Sequence, residues 1–316
     1  MIIPAVKVVF IDIPKTGSSS MVQFLTHSFI NLPTQTNVSP SWNVDLCPAQ
    51  SKLTPKRGGD GPVIHFSGCR HEPLISVYRN IPDFHDHLFF SMIRHPFNRF
   101  KSFVYETLLQ KNFKHLQSHF TSSDGLYTDS WFLNDSKFNS DTNQFNLLIY
   151  HLNIIKSKGW NNVNLCSLPF HMWPQVNFIS LKTPSPYILR ILPFEQMSEW
   201  IDDFKTELSM WSGVDIKDIP FPNVDPTPRT IFQRKHTIES AKSIPHTYEW
   251  ELNILTNTGS ALDAEFQAKY PTYDLFLQDY NLERSRIEKE YGPLLEEHRD
   301  LIESVYHDDM VTYGYA

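Results

Sequence analysis

Cysteine is scarce. Only Cys47, Cys69 and Cys166 occur in 316 residues, an odd number set far apart. That excludes a disulfide framework and makes a reducing compartment the simpler reading. No apolar run reaches the roughly 20 residues that span a bilayer. A strand is read within the first ten residues, so no signal peptide is expected here. Basic charge is not in excess: 28 Lys and Arg face 35 Asp and Glu, for a formal net charge of −7. This argues against a general nucleic-acid binder. There is no internal repeat and no low-complexity tract. What is present in quantity is apolar material, with 41% hydrophobic and 14% aromatic residues. A chain of this length and composition fills a substantial core, as one large domain or two small ones.

Glycine is also sparse, at 11 residues, so the one in the first twenty stands out. The run Val8-Val9-Phe10-Ile11-Asp12-Ile13-Pro14-Lys15-Thr16-Gly17-Ser18-Ser19-Ser20 is followed by Met21, Val22, Phe24, Leu25 and Phe29 at helical spacing. It reads as buried strand, tight loop and helix. Loop amides and the positive end of the helix converge on one spot that suits an anion. Lys15 adds a full charge, Thr16, Ser18, Ser19 and Ser20 add hydroxyls, and Gly17 admits close backbone approach. A Walker A loop is excluded, because its lysine follows a second glycine, whereas Lys15 precedes the only glycine here.

A second anchor lies at residues 88–106. The apolar run Leu88 to Ile93 delivers Arg94 to the strand end where ligands gather in open α/β sheets. Pro96 sits where a helix starts, and Phe97, Phe100, Val104 and Leu108 form its apolar stripe, with Asn98, Arg99 and Ser102 off it. Arg94 and Ser102 are candidates to hold one phosphate from two sides. With Lys15, Arg99 and Lys101, Arg94 makes a local basic set suited to a small polyanion.

Together these runs resemble the two nucleotide motifs of sulfotransferases that use 3′-phosphoadenosine 5′-phosphosulfate (PAPS). Residues 14–20 match the 5′-phosphosulfate loop, P-K-[TS]-[GA]-[ST]-[ST]-[ST]. Residues 94–102 match the 3′-phosphate motif R-[DH]-P-x-x-R-x-x-S, with His95 in place of the commoner Asp. The resemblance is closest to the carbohydrate type that includes heparan sulfate 2-O-sulfotransferases. It implies PAPS as co-substrate, PAP (the 3′,5′-bisphosphate) as product, and a hydroxyl-bearing acceptor, in the first place a glycan. In that type a histidine between the two motifs is catalytic. His65, in the short strand-like run 62–68, is the best match, although Ile64 replaces the preceding glycine, and His71 is the second choice. Histidine suits the task, because the acceptor hydroxyl must lose a proton near neutral pH.

The remaining chain is less explicit. Residues 31–61 read as a long surface loop. Cys47, His65, Cys69 and His71 match no zinc-ligand spacing, and no metal site is expected. His85 and His87 form a polar approach to the second strand. Residues 111–143 read as loop with broken helix, a helix follows from Gln144, and 163–168 is strand-like. His171-Met172-Trp173-Pro174-Gln175 resembles an H-x-x-P-Q segment of some carbohydrate sulfotransferases, which makes His171, Trp173 and Gln175 candidates for the acceptor site, Trp173 equally for the core. A strand over 187–192 runs through Phe194-Glu195 into a helix with Met197, Trp200, Ile201, Phe204 and Leu208 on one face. The proline-rich stretch 213–236 ends in Arg229, Arg234, Lys235 and His236, either a loop over the nucleotide or an exposed charge cluster. Residues 237–285 match no motif. Pro293 is read as opening the last helix, and the tail from Tyr306 to Tyr315 resembles the family's Y-x-x-D-x-x-x-[FY]-[GY] ending, taken as packing.

The expected architecture is a single α/β domain over residues 1–316, a mainly parallel sheet flanked by helices, with a possible insertion at about 213–285. The expected activity is transfer of a sulfuryl group from PAPS to an acceptor hydroxyl. Lys15 and His65 are the catalytic candidates; Lys15, Thr16, Gly17, Ser18, Ser19, Ser20, Arg94 and Ser102 are the PAPS-binding ones. Two alternatives stand beside it: a P-loop-like kinase or nucleotide-binding module, and an inactive glycan-binding relative. Asn37 and Asn134 begin N-x-S sequons. The expected setting is a soluble, cytoplasmic protein or the trimmed luminal domain of a Golgi enzyme, with no membrane span and no nucleic-acid partner.

Overall fold

The computed structural model describes residues 1–29, 32, 56–57, 64–65, 74, 84–113, 140–163, 168, 170–179, 188–222, 226–235 and 264–316. The strands are β1 (Ile2–Ile3), β2 (Val8–Ile11), β3 (Lys56–Arg57), β4 (Ile64–His65), β5 (Leu88–Ile93) and β6 (Ile188–Pro193). The helices are α1 (Ser18–Phe29), α2 (Pro96–Asn112), α3 (Asp141–Lys158), α4 (Val176–Ile179), α5 (Met197–Ser212), α6 (Pro226–Lys235), α7 (Ala264–Lys269), α8 (Tyr273–Glu297), α9 (Arg299–Val305) and α10 (His307–Thr312). They fall into two compact units, one of residues 1–95, 173–224 and 308–316, the other of 96–172 and 225–307.

The first unit is α/β. Its sheet has the order β3-β4-β1-β2-β5-β6. The pairs β2–β5 and β5–β6 are parallel, whereas β1 pairs antiparallel with β2 and β4, and β3 antiparallel with β4. Among the described strands the sheet is therefore mixed, with β2, β5 and β6 parallel. The expectation of a mainly parallel sheet missed β1 because two residues before a turn carry no periodicity to read. Strand alternation sends Val8, Phe10, Leu88, Phe90, Met92 and Leu192 to one buried face, where they pack with Met21, Phe24 and Leu25 of α1 and Phe204 and Leu208 of α5. Phe10 stacks on Phe90 at 5.2 Å, and Phe90 meets Phe204 edge-on at 4.9 Å. Burial on this scale, about 25 cal/mol per Å² of apolar surface, is what holds the strand ends in place.

The second unit is helical. Ser140 caps α3 by accepting from the Asn143 amide at 3.2 Å, and Thr272 caps α8. Phe113, Phe232, Phe266, Tyr270, Phe276 and Tyr280 form an aromatic cluster at centroid distances of 4.9 to 6.4 Å. Two sequence expectations are corrected here. Pro293 does not open a helix but lies inside α8. Its missing N–H removes one helical bond, which the buried neighbours Tyr291, Gly292 and Leu295 offset by packing. The segment ending in Arg229 and Lys235 is helix α6 rather than loop, and both side chains are buried, Lys235 with its ammonium 5.1 Å from the Phe266 ring centre. They are therefore no exposed charge cluster. The Arg234 side chain, His236 and most of 31–61, 111–143 and 237–263 lie outside the described residues.

Candidate anion site at the strand ends

The Lys15 loop leaves β2 at Ile11 and enters α1 at Ser18. The buried Thr16 hydroxyl donates to the Ile13 carbonyl at 2.9 Å and closes the turn. Gly17 accepts from the Ser20 amide at 3.0 Å, starting the helix. Two residues take left-handed backbone angles, Lys15 at φ 67° and Gly17 at φ 83°. For lysine this costs on the order of 1–2 kcal/mol, and outliers of this kind cluster at functional sites. Ser18 is buried, while Lys15, Ser19 and Ser20 stay half-buried within reach of solvent. The turn brings Lys15 to the start of α1, the positive end of that helix's dipole, which favours a bound anion.

Gly17 is required for a second reason. A Cβ on it would meet the Phe194 ring at 2.5 Å and the Met92 methyl at 3.3 Å. Gly17→Ala is therefore expected to cost more than Gly213→Ala, which has a similar positive φ of 69° but open space around it. The difference should be roughly 1–3 kcal/mol, the usual range for overpacking. Urea midpoints of the two variants measure it, and equal midpoints would contradict the close packing at Gly17.

Arg94 follows β5 directly. Its Nη1 donates to the Lys15 carbonyl at 3.4 Å, its guanidinium carbon lies 4.7 Å from the Phe194 ring centre, and its Nε is 3.9 Å from Glu195 Oε1. Glu195 also accepts from the His95 amide at 3.0 Å and the Tyr315 hydroxyl at 3.1 Å. Burial first, then the Glu195 charge, pushes the Tyr315 pKa up, with Arg94 pulling partly the other way. Tyr315 thus remains the donor to Glu195 at neutral pH. The Tyr315 ring meets the His95 ring edge-on at 5.1 Å.

The Arg94 main chain is held as firmly as its side chain. Its N–H donates to Gln175 Oε1 at 2.9 Å, and Gln175 Nε2 donates back to its carbonyl at 2.8 Å. The Gln175 and Val176 amides in turn donate to the Asp309 carboxylate at 2.8 and 2.9 Å.

Several candidates sit elsewhere. Gln175 is fully buried and Trp173 nearly so, the latter 6.0 Å from Phe178, so neither lines an open acceptor site. His171 belongs to the helical unit, stacked on Phe103 at 5.3 Å. Ser102 is half-buried on α2, also in that unit. Arg99, off the apolar stripe, is nevertheless buried. Lys101 pairs with Glu296 at 3.7 Å and lies over Phe97 and Tyr105. His65 ends β4. Ile64 pairs with Ile2, and Ile2 with Val9, so β4 runs in the direction of β2, and His65 is one residue nearer the end that carries Lys15. His71, Cys47 and Cys69 lie outside the described residues. Among the described residues no group of three or more His, Cys, Asp or Glu gathers as a metal site, and no helix is long and apolar enough to cross a membrane.

Phe194, Glu195, Asp309 and Tyr315 are the site residues that sequence reasoning did not assign to the anion. The Phe194-Glu195 pair after a strand and the tyrosine-rich tail were visible signals, but nothing in the sequence joins them to Arg94. No family model, curated protein or solved structure matches the chain.

Proposed function

We propose that the chain is a PAPS-dependent sulfotransferase that moves a sulfuryl group to an acceptor hydroxyl, with a carbohydrate as the favoured acceptor class and the fold of that enzyme family as its frame. The observation that carries the reading is the Lys15 loop bonded to Arg94: a strand-end turn with a lysine and serines at the start of a helix, tied to the guanidinium that follows the next parallel strand. Such an arrangement gathers an ammonium and a guanidinium at neighbouring strand ends, which suits a polyanionic ligand. A kinase reading lacks the lysine position that a Walker A loop requires.

In this reading the loop from Lys15 to Ser20 holds the 5′-phosphosulfate, and Arg94 holds the 3′-phosphate. The sulfur–oxygen bond to the 5′-phosphate breaks as a new bond forms to the acceptor oxygen. Lys15 offsets the charge that grows on the departing phosphate oxygen. The acceptor proton passes to His65, and PAP leaves. An inactive relative would bind PAP but transfer nothing.

Sulfate transfer from radiolabelled PAPS to a panel of glycans, phenols and lipids tests the activity and its acceptor class. In the same assay His65→Ala is expected to lose about 10²–10⁴ in rate, with PAP affinity retained and His71→Ala active. A dead His71→Ala beside an active His65→Ala would move the base to His71. Full activity in both would remove the base from this segment.

A further inference from the structure

Strand β5 stops pairing at Ile93, opposite Pro193 of β6. Proline has no N–H to extend the ladder, and the Pro193 carbonyl is taken by Trp200 Nε1 at 2.7 Å. Arg94, one residue on, would carry an N–H and a carbonyl with no strand beside them, an arrangement that is costly below the surface. The Gln175 side chain supplies both missing bonds, acceptor to the N–H and donor to the carbonyl. Its amide stands in for the peptide group of a neighbouring strand. Gln175 is in turn fixed through its own N–H by Asp309, a fully buried carboxylate brought in by the C-terminal tail.

We infer that Gln175, anchored by Asp309, is a positioning residue that sets the direction of the Arg94 guanidinium and so its preference for a 3′-phosphate; the inference rests on the proposed PAPS reading. Gln175 has no exposed surface. It acts by holding the Arg94 backbone, from which the side chain runs past Phe194 and Glu195 to the Lys15 carbonyl. Small displacements of a binding group have large effects on recognition.

The test compares PAP with AMP, which differ by the 3′-phosphate, by calorimetry on the full chain. Gln175→Leu keeps the bulk and loses both bonds. The expected result is a PAP-over-AMP ratio lower by about tenfold or more, with AMP affinity near wild type. A ratio unchanged in Gln175→Leu, including equal weakening of both ligands, overturns the inference. Gln175→Glu carries the test if the leucine variant does not fold. Its carboxylate accepts from the Arg94 N–H but gives nothing to the carbonyl, whereas the protonated acid donates. Burial raises the pKa of such a group, so the ratio relative to wild type should recover between about pH 8 and about pH 6. A ratio equal to wild type at every pH overturns the inference. A wild-type protein with no preference for PAP would instead sink the PAPS reading, and this inference with it.

Discussion

Lys15→Ala is expected to lower turnover by about 10²–10³ while PAPS affinity changes only a few-fold, because the ammonium matters most when charge builds on the leaving oxygen. Alanine at that position keeps a Cβ and so meets the same backbone demand, which separates loss of charge from collapse of the loop. Saturation kinetics with labelled PAPS measure both parameters. Collapse of affinity with a normal rate at saturation would make Lys15 a binding residue only.

Arg94→Ala is expected to abolish most of the preference for PAP over AMP. Each charge-assisted bond contributes about 1.5–3 kcal/mol, or roughly one to two powers of ten in affinity. The variant also loses the Nη1 bond to the Lys15 carbonyl, so AMP binding should weaken slightly as the loop loosens. Arg94→Lys should fall between the two, since an ammonium keeps the charge but not the paired donors or the flat face that rests on Phe194. If Arg94→Ala binds PAP as wild type does, Arg94 is not the phosphate reader.

The parts of this structure that were legible in the sequence are those with period and punctuation. Val8–Ile11 and Leu88–Ile93 are apolar runs of strand length, Ile188–Pro193 is one broken only by Arg190, and Ser18–Phe29 and Pro96–Asn112 carry helical stripes after clear start signals. The turn between β2 and α1 was legible because a glycine and a run of serines after an apolar strand mark a turn and a helix start. Gln175 was misread as a lining residue, since burial of a polar side chain depends on a partner 81 residues away. The meeting of Glu195 and Tyr315 spans 120 residues and left no local trace. Pro293 was misread because proline more often starts a helix than sits within one, and only the packing around Tyr291 and Leu295 reverses that preference. The Arg99 burial likewise comes from tertiary packing that helical periodicity does not encode.

The central claim is that the Lys15 loop and Arg94 recognise a 3′-phosphorylated adenosine nucleotide, and calorimetric titration of the wild-type chain with PAP and with ATP tests it most directly. The account predicts PAP binding at least about tenfold tighter than ATP, from the charge-assisted bonds that only a 3′-phosphate can make with Arg94. ATP binding as tight as PAP, or tighter, would contradict it and return the loop to the nucleotide-triphosphate reading.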